Sequence, residues 1–100
     1  MIDDTRLERR FRAADSAIFR ELDGEAIILH LDTGIYFGLD VIGVRIWQGL
    51  ARRESVDTIV AAIIGEFDVD EPRARGDVER LIDQLVAKGL VVPGDATTGR

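Results

Sequence analysis

The residues able to do chemistry are few and scattered. His30 is the only histidine of the chain, and cysteine is absent. A nucleophile–base–carboxylate arrangement would have to join His30 to Ser16 or Ser55, and neither serine sits on the sharp strand-to-helix elbow such sites use. Ser55 is better placed as a helix cap. No second histidine stands at a metal-ligand spacing from the first. Asp68-x-Asp70, with Glu79 further on, superficially resembles a calcium loop. Its fifth position is Pro72, however, and its sixth is Arg73 where glycine is needed. Gly34 and Gly38 are too isolated to cradle a phosphate. These residues point to no catalytic group, no metal ligand set and no cofactor.

The aromatic pair Tyr36-Phe37 is different. Neighbouring residues on a strand point to opposite faces, so both rings cannot enter one core. Phe37, in phase with Ile35 and Leu39, is expected to pack beneath helices. Tyr36 then shares the other face with Gly38, where a missing side chain lets another backbone approach. A strand at a sheet edge offers unpaired amide and carbonyl groups that must be covered or used.

The flanking elements place that strand at an edge. Ala17–Leu22 and Glu25–Leu31 read as two strands joined by the hairpin pair Asp23-Gly24. The second strand is apolar on both faces, as a middle strand is. After the turn Asp32-Thr33-Gly34, Ile35–Leu39 forms the third strand of a meander. Asp40 caps a helix over Val41–Arg52 whose inner face is Gly43, Ile46, Trp47 and Leu50. Gly43 costs a helix about 1 kcal/mol against alanine, which a close approach to the sheet would justify. Ser55 caps a second helix, Val56–Phe67. Asp70 and Pro72 open a third, which carries Val78, Leu81, Ile82 and Leu85 inward and stops at Lys88-Gly89.

The chain has 100 residues, a net charge of −6 and 46% hydrophobic residues. One domain with a modest core is expected: a partly ordered arm over residues 1–16, a folded unit over 17–92 and a flexible tail over 93–100. The acidic balance argues against nucleic acid and anionic membranes. The chain has neither a span-length apolar run nor the apolar core of a signal peptide, so the cytoplasm is the expected compartment.

Three stretches together, RELDGEAIILHLDTGIYFGLDVIGVRIWQGL, SVDTIVAAIIGEFDVD and DVERLIDQLVAKGLV, resemble the PqqD-like proteins, also called RiPP recognition elements. The resemblance covers about Ile18–Val92. It implies an α+β, winged-helix-like fold: a three-stranded antiparallel sheet followed by three α-helices. It also implies a non-enzymatic role, binding the leader segment of a ribosomally made precursor peptide and presenting it to a protease, cyclase or radical enzyme. In such proteins the leader adds as a strand on the third strand and packs against the third helix. Carried over by position, the cleft lies between Tyr36, Phe37, Gly38 and Leu39 and the helix residues Val78, Leu81, Ile82 and Leu85, with Asp77 as a polar contact. The pattern is similar to stand-alone members of lasso-peptide pathways, where a separate leader peptidase acts, and quinone-cofactor and radical-enzyme pathways stay open. A DNA-binding winged helix and a homodimer through the third strands are the competing expectations.

Overall fold

A computed structural model describes residues 10–93. Residues 1–9 and 94–100, most of the expected arm and tail, lie outside the described residues. The element order is β1 (Phe11–Ala13), β2 (Ala17–Leu22), β3 (Glu25–His30), β4 (Tyr36–Leu39), α1 (Val41–Ala51), α2 (Val56–Glu66), α3 (Glu71–Ala87) and β5 (Val91–Pro93). Antiparallel β2, β3 and β4 form one sheet in that order, with β3 in the middle. The expected architecture, an antiparallel three-stranded sheet followed by three helices, is the one observed.

Local chemistry explains most element ends. Asp23 and Gly24 both adopt positive φ, 59° and 84°, which a two-residue hairpin of the right twist requires. The Asp40 carboxylate accepts from the Gly43 N–H at 2.8 Å, and the Asp70 carboxylate accepts from the Arg73 N–H at 3.1 Å. The Ser55 hydroxyl accepts from the Thr58 N–H at 3.1 Å. Each side chain satisfies a first-turn amide that has no partner inside its helix. Gly89, at φ 74°, ends α3, and the Leu90 N–H donates back to Leu85 O at 2.9 Å.

The helices cover one face of the sheet. Ile28 of β3 and Leu39 of β4 point into the core with Ile46, Trp47 and Leu50 of α1. Val56, Ile59, Val60 and Ile63 of α2, Ala74, Val78, Ile82 and Leu85 of α3, and Leu90 and Val91 after it pack against them. The ring of Trp47 stacks on that of Phe19 at 5.9 Å, which ties α1 to β2. Ion pairs bind the helices at the surface: Arg45 to Glu66 between α1 and α2, and Arg75 to Asp57 between α3 and α2. Hydrogen bonds from Arg75 to Glu71 and Asp57 raise its pKa above the ordinary arginine value.

One feature departs from the sequence reading. Phe11–Ala13, read as part of an arm, forms a strand that pairs antiparallel with Val91–Pro93 in a separate two-stranded sheet. Each three-residue strand is too short to be read from its own pattern; Phe11 and Ala13 pack against the core, and Val91 is buried in it.

Candidate functional site

The hydrogen-bonding phase of β4 follows from one bond. The His30 N–H donates to Ile35 O at 2.8 Å, so His30 and Ile35 form a bonded pair. Such pairs alternate along an antiparallel ladder. The pairs Ile28–Phe37 and Ala26–Leu39 share that phase, whereas Leu29–Tyr36 and Ile27–Gly38 do not. The backbone groups of Phe37 and Leu39 therefore point inward to β3, and those of Tyr36 and Gly38 point to the open edge.

Beside this edge lies a groove of about 450 Å³. Its floor and one wall are Phe37, Leu39, Asp40, Ile42, Gly43 and Ile46, and its far wall is Asp77, Arg80, Leu81 and Gln84 of α3. The Lys88 ammonium lies 5.9 Å from the Phe37 ring centroid. Arg80 donates to the Asp77 carboxylate at 3.0 Å, which holds two opposite charges on the α3 wall. An extended segment pairing with β4 would find backbone partners along its length and, for alternate side chains, a trough in which Phe37, Leu39, Ile42, Ile46 and Leu81 are interspersed with Asp40, Asp77, Arg80 and Gln84.

The sequence-expected site residues divide into two groups. Tyr36 (70% exposed), Phe37, Gly38, Asp77 and Leu81 are accessible and lie on the edge or the groove. Leu39 contributes to the groove but is 5% exposed. Val78, Ile82 and Leu85 are wholly buried in the core and do not line the groove. On a helix that turns 100° per residue, Ala74, Val78, Ile82 and Leu85 make the buried stripe. Leu81 stands about 60° to one side of it, followed by Asp77, Gln84 and Arg80. The sequence places Leu81 both on the inward face of α3 and in the cleft, and does not mark Arg80, Gln84, Ile42 and Ile46, which also line the groove. The available signal was Leu81 itself, an apolar residue off the centre of the stripe with polar neighbours at i−4, i−1 and i+3.

The remaining candidates are structural. The Nδ1 of His30 accepts from the N–H groups of Asp32 (3.1 Å) and Thr33 (3.4 Å), so its side chain closes the turn that leads into β4. Ser55 and Asp70 are helix caps. Among the described residues, no three His, Cys, Asp or Glu side chains are grouped to hold a metal ion, and no helix is long and apolar enough to cross a membrane.

Two solved structures share this architecture. One, described as TbiB1 in complex with the TbiA(beta) leader peptide, superposes with a TM-score of 0.76 at 38% identity, covering 85% of this chain and 98% of that one. The other, lasso peptide synthetase B1 complexed with the leader peptide, has a TM-score of 0.76 at 23% identity, covering 83% and 98%, and supports the fold alone. Comparison with curated proteins yields no match. Residues 25–91 match the family described as coenzyme PQQ synthesis protein D (PqqD), and the chain belongs to the PqqD family.

Proposed function

We propose that this protein is a non-enzymatic adaptor that binds the leader segment of a ribosomally synthesised precursor peptide. The leader adds as a strand to β4 and is presented to a modifying enzyme, with the leader peptidase of a lasso-peptide pathway as the first choice. The observation that carries this reading is the edge of β4, which pairs with no strand among the described residues, with Tyr36 and Gly38 facing outward beside a groove walled by α3. The likeness to TbiB1, whose structure holds a leader peptide, supports it. Residues 17–92 form the binding unit, and the adaptor works in the cytoplasm, where precursors are translated.

Backbone bonds to β4 fix the direction and register of the leader, while the groove selects side chains. Asp77 and Arg80 at the rim supply polar contacts. A homodimer through β4 would occupy the same edge, so leader binding and that dimer exclude each other. Duplex DNA is a poor fit to a chain of net charge −6, since phosphate contacts draw on lysine and arginine.

Calorimetric titration with the leader of the precursor encoded beside this protein tests the proposal. A Kd in the micromolar range or tighter is expected, equivalent to about 8 kcal/mol or more. Absence of heat and of competition with every small open reading frame in the neighbourhood would overturn it.

A further inference from the structure

The connection from α1 to α2 is basic in a chain whose net charge is −6. Arg52 and Arg53 follow the last turn of α1 and are exposed. The N-terminal segment lies against them: Arg10 bridges to Ser55 and donates to Arg53 O at 2.8 Å. Arg12, two residues further along that extended segment, is on the same side as Arg10. Two carboxylates stand nearby, Asp15 at 3.4 Å from Arg12 and Glu54 at 3.9 Å from Arg52. On the helices, by contrast, Arg45 and Arg80 each meet a carboxylate oxygen at 3.0 Å and Arg75 meets one at 2.7 Å.

Arg53 is the sharper observation. Its φ is 61°, in the left-handed region. Its N–H donates to Leu50 O at 2.9 Å, and the Glu54 N–H donates to Gly49 O at 3.0 Å. The end of α3 repeats the same pair of bonds, Gly89 to Val86 O and Leu90 to Leu85 O, with Gly89 at φ 74° in the place of Arg53. Glycine is the residue this helix ending favours, and the Cβ of an arginine strains it. Arg52, at the cap, complements the negative pole of α1. Arg53 has no such account: among the described residues its side chain makes no hydrogen bond or ion pair, so no contact offsets the strain.

We infer that Arg52 and Arg53, with Arg12 at the margin, form a docking surface for an acidic patch on the modifying enzyme. The inference rests on the reading of the protein as an adaptor. An adaptor whose groove holds a leader must touch the enzyme somewhere else. Ile42, Gly43 and Ile46 line the groove from the first half of α1, and Arg53 lies about 10 Å further along the helix axis than Ile46. The arginine surface therefore stays open while the groove is occupied. Exposed guanidinium groups draw in an oppositely charged partner, speed its association and orient it. They also offer paired N–H donors that match a carboxylate. Duplex nucleic acid fits less well, since the chain as a whole is acidic.

The test is surface plasmon resonance with the modifying enzyme encoded beside this protein, run on the leader-bound adaptor at about 0.05 M and about 0.3 M salt. The variants are Arg53→Gly and the double charge reversal Arg52→Glu with Arg53→Glu. Leader affinity is followed separately by fluorescence anisotropy, and Tm by circular dichroism. The double reversal should slow enzyme association roughly tenfold, and the higher salt should slow the unaltered protein by a similar factor. Arg53→Gly should slow association while Tm stays at or above the native value, because glycine suits the left-handed backbone. A merely structural arginine would not separate those two readouts. Leader affinity should be native in every variant. Native association in both variants would overturn the docking surface and leave the adaptor reading standing, as would a loss of leader affinity in their place. Salt-dependent binding of duplex DNA that the double reversal abolishes would give the arginines to nucleic acid and overturn it too. Absence of leader binding to the unaltered protein would overturn the adaptor reading, and the docking surface with it.

Discussion

Gly43 of α1 lies against Leu39 of β4 so closely that a Cβ on Gly43 would stand 3.1 Å from Leu39 Cδ2 and 3.2 Å from Leu39 Cβ. The third near atom, at 3.3 Å, is Oδ1 of Asp40, the carboxylate that caps the same helix. This contact sets the distance between the first turn of α1 and the strand whose other side is the open edge. Propensity alone predicts that Gly43→Ala gains about 1 kcal/mol. Crowding of Leu39, whose Cβ is fixed by the backbone of β4 and cannot turn away as a rotamer, costs about 1–3 kcal/mol and wins. Thermal unfolding should therefore record a lower Tm for Gly43→Ala, by several degrees for a domain of this size. A higher Tm would mean that Leu39 relaxes freely.

Gly49 is a stricter case. A Cβ there would come within 2.6 Å of Ile59 Cγ1 and 3.0 Å of Glu54 Oε1. Ile59 is wholly buried, so it has nowhere to retreat. Gly49→Ala is expected to destabilise the fold by about 3 kcal/mol, more than Gly43→Ala, in urea unfolding. Equal midpoints for the two variants would contradict the close packing of α1 on α2.

Leu81 and Leu85 separate binding from folding. Leu85 has no exposure, and Leu85→Ala should cost about 2–5 kcal/mol of stability, a large share of what a small domain possesses. Leu81 is half-buried on the groove wall. Leu81→Asp should leave a cooperative unfolding transition intact and weaken leader binding at least tenfold. The paired measurement is a melt and a titration on each variant. A folded Leu81→Asp protein with native affinity would remove α3 from the proposed site.

His30 serves the β3–β4 turn through its Nδ1, which accepts two backbone N–H groups. Its proton is therefore expected on Nε2, which nitrogen-15 NMR can observe. His30→Ala leaves both amides without this acceptor and should cost about 1 kcal/mol, less if water replaces it. A Nδ1-protonated tautomer in solution would contradict this geometry.

Much of the fold was legible before any coordinates because local chemistry writes it. Asp40, Ser55 and Asp70 cap helices in the manner their side chains suit, and Asp23-Gly24 and Gly89 hold the left-handed backbone that turns and helix ends need. The 3.6-residue repeat of α1 marked Gly43, Ile46, Trp47 and Leu50, and all four are buried. The aromatic pair was legible too: Phe37 lies under the helices and Tyr36 faces solvent.

What the sequence by itself determined is therefore the order of elements, their caps and which residues form apolar stripes, because these depend on neighbours within a few positions. Tertiary structure alone decided three things. It paired β1 with β5, strands too short to be read from their own sequence, and set Phe11, Ala13 and Val91 against the core. It divided α3 into a buried stripe and a groove wall, with Leu81 on the wall and Val78, Ile82 and Leu85 inside. It left Ile27 and Leu29 of the middle strand on an open face while Ala26 and Ile28 entered the core. Periodicity records that a residue is apolar and which way it points along its own element. Which neighbour, if any, lies in that direction is settled only when the elements pack.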